Sequence, residues 1–337
     1  MTQQSGRERV LRALSTGCGP VPWLEFIVDP DIASKIVGHA ITPIGKSIMS
    51  YPDQVEFAQA VGIDGIYIVA YERFGVDIEE TAQSYRYVGR VKGRDDLRRL
   101  EIPEVNRQAM EQEVDRARQA VGDSGLAIHP LCIFCVADAM QDAGFENFLN
   151  NLHDDPAFIS ELLAVYEEYN TKLLDIFSSL TEVDFIWVAD DIAYNAGLFF
   201  SPRTFHELVM PMYRRMAAHI KKPWAFHSDG NITEVLDDLL SLGMNAIHPL
   251  QPDAMNIHDI KKRYGNRVCL IGNVDLRLLA TGTPEQVESC VLDLAQLCAL
   301  DGRYILSSGN SIPKFLKPEN VMAMGRAIQT FNKENFE

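Results

Sequence analysis

The chain has 337 residues, 47% of them apolar, enough to bury a large core in one domain or two. Acidic residues outnumber basic ones 47 to 31, a formal charge of −16 that argues against nucleic acid or an anionic membrane as partner, since both need a basic footprint. No run approaches the ~18 consecutive apolar residues of a membrane span. The opening Met1-Thr-Gln-Gln-Ser-Gly-Arg-Glu-Arg-Val10 carries no apolar signal segment, so the chain reads as cytoplasmic.

In chain order, Val10, Leu11 and Leu14 have helical spacing and predict an N-terminal helical extension from Ser5. Short apolar runs follow, alternating with longer amphipathic segments. The runs predict strands over Val21–Ile27, Gly62–Ala70, Leu126–Phe134, Asp184–Ala189, Lys222–Phe226, Asn245–Leu250, Val268–Ile271 and Arg303–Leu306. Between them, Glu104–Val121 reads as a charged surface helix. Phe158, Leu162, Tyr166, Tyr169, Leu173 and Phe177 form one helical stripe. Pro202–Ile220, Thr233–Leu242, Pro284–Leu300 and Pro318–Phe331 form further helices, with Pro284 and Pro318 suited to a first turn. Eight strand–helix alternations predict an α/β fold, a single (β/α)8 TIM barrel over residues 1–337 with no linker-like break. A doubly wound open sheet fits less well, because eight strands are many for it and no Gly-x-Gly-x-x-Gly loop is present.

Six cysteines, Cys18, Cys132, Cys135, Cys269, Cys290 and Cys298, form no secreted disulfide framework. Cys132 and Cys135 have Cys-x-x-Cys spacing, which permits a metal or redox role. No second pair lies at finger-like distance, and the intervening Ile133 and Phe134 favour packed thiols.

In such a barrel the C-terminal strand ends carry the chemistry. Trp224-Ala-Phe-His-Ser-Asp-Gly-Asn231 is the most telling of them: an apolar run ending in His227, Asp229 and Asn231. The i, i+2 spacing puts His227 and Asp229 on one side of an extended chain, where they can share a metal or act as an acid–base pair. Glu25 and Asp29, Tyr71 and Glu72, Asp190, Asp191 and Asn195, His248 and Gln251, Asn273 and Asp275, and Ser308 and Asn310 mark the other strand ends. One of Asp190 and Asp191 can instead cap a following segment, and Asp229 and Asn231 can cap the Thr233 helix. His248 before Pro249 also reads as a core histidine.

These features resemble the uroporphyrinogen decarboxylase-like superfamily. The matching segments are Arg7-Glu-Arg-Val-Leu-Arg-Ala-Leu14, Asp190-Asp-Ile-Ala-Tyr-Asn-Ala-Gly-Leu-Phe-Phe-Ser-Pro202, Phe226-His-Ser-Asp-Gly-Asn-Ile232, Leu270-Ile-Gly-Asn-Val-Asp275 with Gly282-Thr-Pro284, and Ser307-Ser-Gly-Asn-Ser-Ile-Pro313. The resemblance implies a (β/α)8 barrel with the site at its mouth. It also implies one of several chemistries. Decarboxylases of this superfamily carry an arginine-rich N-terminal segment that grips the substrate's carboxylates. Here that stretch reads Val21-Pro-Trp-Leu-Glu-Phe-Ile-Val-Asp29, without arginine, so a polyanionic tetrapyrrole would meet Glu25 and Asp29. The corrinoid-dependent branch that methylates coenzyme M uses a zinc site of His-x-Cys plus a later Cys. Here the positions read His227-Ser228-Asp229 and Ser307-Ser-Gly-Asn310, and both thiolates are missing. Hard oxygen and nitrogen ligands still bind zinc.

The pattern suits a third member type, the methyltransferase I components of O-demethylase systems. The expectation is therefore a methyltransferase that moves methyl from a small donor, most readily an aryl methyl ether, to the Co(I) of cobalamin on a separate corrinoid protein. His227, Asp229, Asp190 and Glu25 are the expected catalytic residues, with His227 and Asp229 as candidate zinc ligands. Asp191, Tyr194, Asn195, Asn231, His248, Asn273, Asn310 and Trp187 are the expected substrate- or cofactor-binding residues. Phe134, Trp187, Tyr194, Phe199, Phe200 and Trp224 are candidates to sandwich an aromatic ring. Two rivals stay open: decarboxylation of a tetrapyrrole, for which Arg73, Arg203 and Arg277 are the nearby cations, and a non-catalytic binding protein on a degenerate barrel.

Overall fold

The computed structural model describes residues 4–15, 17–44, 48–80 and 85–336. The strands are β1 Gly65–Val69, β2 Val76–Glu80, β3 Tyr85–Gly89, β4 Ala127–Ile133, β5 Ile186–Ala189, β6 Ala193–Tyr194, β7 Gly197–Leu198, β8 Trp224–His227, β9 Ala246–His248, β10 Cys269–Ile271 and β11 Tyr304–Ile305. Seven of them form one parallel sheet in the order β1-β4-β5-β8-β9-β10-β11. Two short antiparallel hairpins, β2-β3 and β6-β7, lie outside it.

The segment 21–28 closes the curled sheet. It was expected as a regular strand, and the structure makes it a looser stave. Trp23 bridges Leu306 in parallel on one side, with Leu24 N–H donating to the Leu306 carbonyl (3.0 Å) and Leu306 N–H to that of Pro22 (2.9 Å). On the other side Asp64 N–H donates to the Trp23 carbonyl (2.8 Å). Pro22 has no N–H to give a ladder. The Trp23 N–H is taken by the Asp64 carboxylate (2.9 Å) rather than by a neighbouring strand.

Alternation along each strand separates two cores. Leu24, Phe26, Tyr67, Ala127, Leu131, Phe185, Trp187, Ala225, Ala246, Cys269, Ile271 and Ile305 fill the barrel interior. The larger core lies between the sheet and the surrounding helices. Val10, Ala13 and Leu14 of the helix Gly6–Leu14 belong to the interior cluster, so this helix plugs the lower end of the barrel. It is fastened there by Arg7 to Asp184 (2.5 Å), by Arg9 to Asp64, and by Asn245 Nδ2 to the Leu14 carbonyl (3.3 Å). Ser5 and Glu8 form a complete capping box at its start.

Pro202–Ile220, expected as one helix, is three pieces: Pro202–Thr204, a wide π turn over Phe205–Val209, and Met210–Ala217. Pro211 is the physical reason. It lacks an N–H and its ring would meet the carbonyl four residues back, so the chain widens to i→i+5 bonding ahead of it. No helix among the described residues is long and apolar enough to cross a membrane.

Candidate active site

The strand tips converge at the C-terminal mouth because the register aligns them. Ala189 pairs with His227, and His227 with His248. Both histidines point into the barrel, 4% and 0% exposed, with Nδ1 of one 2.6 Å from Nδ1 of the other. The His227 ring is held flat against Phe26, centroids 4.4 Å apart at an interplanar angle of 4°. Its Nε2 faces two carboxylates, Asp191 Oδ1 at 3.6 Å and Asp229 Oδ1 at 3.9 Å. The ligand atoms of Asp191, His227 and Asp229 all lie within 4.8 Å of one another.

The surroundings fix this trio. Asp229 N–H donates to Asp191 Oδ1 (2.9 Å), and Asn310 Nδ2 donates to Asp229 Oδ2 (2.6 Å). Asp229 Oδ1 is buried without a hydrogen-bond partner. A buried carboxylate oxygen with nothing to accept from is costly, and a cation between it, Asp191 and His227 Nε2 would satisfy it. Burial holds the Asp229 carboxyl above its usual range; His227 opposes that and Asp191 adds to it. The donor set of one imidazole and two carboxylates fits a divalent ion such as zinc. Around the rim, Gln251 Oε1 accepts from Gly230 N–H (2.9 Å) and its Nε2 donates to Asn195 Oδ1 (3.1 Å).

Other expected site residues lie elsewhere. Asp190 turns away from the cluster, 1% exposed. Its oxygens accept from the N–H groups of Cys135 (2.9 Å), Val136 (2.9 Å) and Ala137 (2.5 Å), and from the Tyr213 hydroxyl (2.7 Å). It therefore caps the helix Val136–Ala143, and burial pushes its carboxyl up to about 7. Glu25 also faces outward from the barrel interior and does not touch the trio. It accepts from Trp23 Nε1 (2.7 Å), Ser308 N–H (2.9 Å) and Ser308 Oγ (2.6 Å), and burial pushes it up to about 7. Asn231 Oδ1 caps the following turn through Thr233 N–H (3.0 Å), and Asn273 Nδ2 donates to the Leu250 carbonyl (2.6 Å).

Among the aromatics, Tyr194 is exposed at the rim and stacks on Phe199 (6.1 Å, 13°), with Phe145 edge-on to Phe199 (5.1 Å). Phe200, half-buried, packs against the helix–sheet core. Trp187 lies inside the barrel, edge-on to His248 (4.8 Å). Phe134 and Trp224 pack in the helix–sheet core and are not at the mouth. Cys132 and Cys135 are buried free thiols in that same core, and burial pushes both up. Two residues at the site, Phe26 and Ser307, were not expected from the sequence. The signal for Phe26 was its place one residue after Glu25 in an alternating stave, which turns it inward.

An imidazole and two carboxylates thus gather at the C-terminal mouth of a parallel barrel, the face on which TIM barrels carry their sites. The chain belongs to the uroporphyrinogen decarboxylase family, whose model matches residues 52–331. It is similar to a methylated-thiol–coenzyme M methyltransferase of Methanosarcina mazei, 27% identical over 61% of this chain and 54% of that protein. It is also similar to a uroporphyrinogen decarboxylase of Vesicomyosocius okutanii, 31% identical over 24% of this chain and 23% of the other. The chain thus matches about half the length of the first relative. A solved methyltransferase from Methanosarcina mazei superposes with a TM-score of 0.76 at 19% identity, covering 98% of this chain and 99% of the other, and shows the same barrel fold.

Proposed function

We propose that this protein is a methyltransferase that takes methyl from a small methylated donor, an aryl methyl ether, and delivers it to the Co(I) of a cobalamin carried by a separate corrinoid protein. The observation that carries this reading is the Asp191–His227–Asp229 cluster with its unsatisfied Asp229 oxygen. The similarity to a coenzyme M methyltransferase supports methyl transfer as the reaction class. The absence of cysteine from His227-Ser228-Asp229 argues for an oxygen leaving group over a thiol.

An aryl ether is inert until its oxygen is made a better leaving group, because a phenol's pKa is about 10. A divalent ion held by Asp191, His227 and Asp229 would supply Lewis acidity at that oxygen. The chain's own residues do the positioning. Phe26 fixes the plane of His227, Asn310 fixes Asp229 with Oδ1 turned inward, and the Asp229 backbone holds Asp191. Tyr194 and Phe199 offer ring faces at the rim for an aryl group.

The tetrapyrrole reading gains no support from the cations. Arg73 pairs with Asp138, Arg203 with Glu207, and Arg277 with Asp253 and Asp275. None is free to hold a substrate carboxylate. The test is a spectroscopic assay with chemically reduced cob(I)alamin and guaiacol, vanillate and veratrole as donors. Methylcobalamin and the matching phenol in equal amounts are expected, and both vanish in His227→Ala. No methyl transfer from any of the donors, together with carbon dioxide release from a porphyrinogen, would replace this reading by decarboxylation.

A further inference from the structure

The contact between His227 and His248 is Nδ1 to Nδ1 at 2.6 Å, so one ring must donate and the other accept. The far end of the chain of contacts decides which. Glu25 Oε1 receives the Trp23 indole N–H and the Ser308 backbone N–H. Neither group can do anything but donate, so this oxygen is locked as an acceptor. Glu25 Oε2 receives the Ser308 hydroxyl and lies 3.4 Å from Ser307 Oγ. Ser307 Oγ is in turn 3.4 Å from His248 Nε2. Both Ser307 contacts are long, but the hydroxyl sits between these two groups. With Glu25 ionised, it donates to the carboxylate and accepts from His248 Nε2–H. His248 Nδ1 is then bare and accepts from His227 Nδ1–H. His227 is left with the lone pair of Nε2 directed at Asp191 and Asp229.

We infer that Glu25, Ser307 and His248 form a one-way hydrogen-bond relay that holds His227 in its Nδ1–H tautomer and leaves Nε2 free to bind a metal ion. The three are positioning residues acting through His227. The inference rests on the metal-site reading above for its purpose, and on the contacts alone for its direction. Metal-bound histidines commonly give their second N–H to a carboxylate or carbonyl. Here a second histidine and a serine carry that link outward through the barrel wall to a carboxylate on its far side.

Glu25→Gln is the decisive variant, because it reverses the relay while changing one atom. The fixed donors Trp23 and Ser308 N–H force the amide oxygen to the Oε1 position, so the amide NH2 must face Ser307. Ser307 then accepts from Gln and donates to His248 Nε2. His248 carries its proton on Nδ1, and His227 is driven to Nε2–H. The experiment is a long-range 1H–15N correlation spectrum of the metal-free, 15N-histidine-labelled protein at pH 8, with parallel zinc titrations against a fluorescent chelator. Wild type is expected to show His227 as Nδ1–H and Glu25→Gln as Nε2–H, with zinc binding weakened about tenfold to a hundredfold. Ser307→Ala, which cuts the link without reversing it, is expected to give a mixture of His227 tautomers. An Nε2–H His227 in the wild type, or the wild-type tautomer retained in both variants, overturns the relay. Correct tautomers in a wild type that binds no zinc would sink the metal site and leave the relay standing.

Discussion

Asp190 and Asp191 are neighbours in the chain and do opposite work. Asp190 is spent on three backbone N–H groups and a tyrosine hydroxyl, whereas Asp191 keeps a half-exposed carboxylate beside His227. Asp190→Ala strands those buried donors and is expected to lower stability by about 3 kcal/mol or more, read by urea denaturation. Asp191→Ala is expected to change stability by no more than about 0.5 kcal/mol while removing zinc binding. Glu25 makes a pH prediction. Its carboxyl is raised from an ordinary 4.5 to about 7 by burial, so between those values the folded state holds a proton that the unfolded state has lost. The stability this brings is full below 4.5 and is lost as pH rises through about 7. Gln mimics the protonated form at every pH. Glu25→Gln is therefore expected to gain stability relative to wild type between pH 5 and pH 8, measured as the difference in Tm; a pH-independent difference would contradict it.

At the scale of elements, the N-terminal helix is part of the barrel rather than an appendage. Leu14, 1% exposed, fills the lower interior, so Leu14→Ala is expected to cost about 2–5 kcal/mol by chemical denaturation. A loss of well under 1 kcal/mol would mean the plug is not load-carrying. The sequence showed this helix by its spacing but not its destination, since its partners Asp64, Asp184 and Asn245 lie just ahead of the distant strands β1, β5 and β9. The parallel strands were legible because each is a short apolar run, buried on both faces. The hairpins β2-β3 and β6-β7 were not expected: Val76-Asp-Ile-Glu and Tyr85-Arg-Tyr-Val do alternate, but they fall outside the strand–helix repeat, and β6 and β7 are only two residues each. Pro211 was visible in the sequence, and its widening of the helix before it follows from its missing N–H.

For the whole molecule, the barrel could be read from eight alternations, and the pairing of His227 with Asp229 from their spacing. Asp191 joined them through a strand tip one place along the sheet. What could not be read was direction. Nothing local tells that Asp190 turns into a helix cap, or that Glu25 reaches His227 only through Ser307, 282 positions away in the chain. Strand alternation sorts inside from outside, but the bends after each strand end decide where a tip residue points. One titration tests directly whether the metal cluster drives methyl transfer. The protein is stripped with chelator, zinc is added back stepwise, and the rate of methyl transfer from a methoxyarene to cob(I)alamin is followed. Activity is expected near zero in the stripped protein, rising in proportion to zinc and levelling at one equivalent per chain, with no recovery in Asp229→Asn. Full activity in the stripped protein would contradict it.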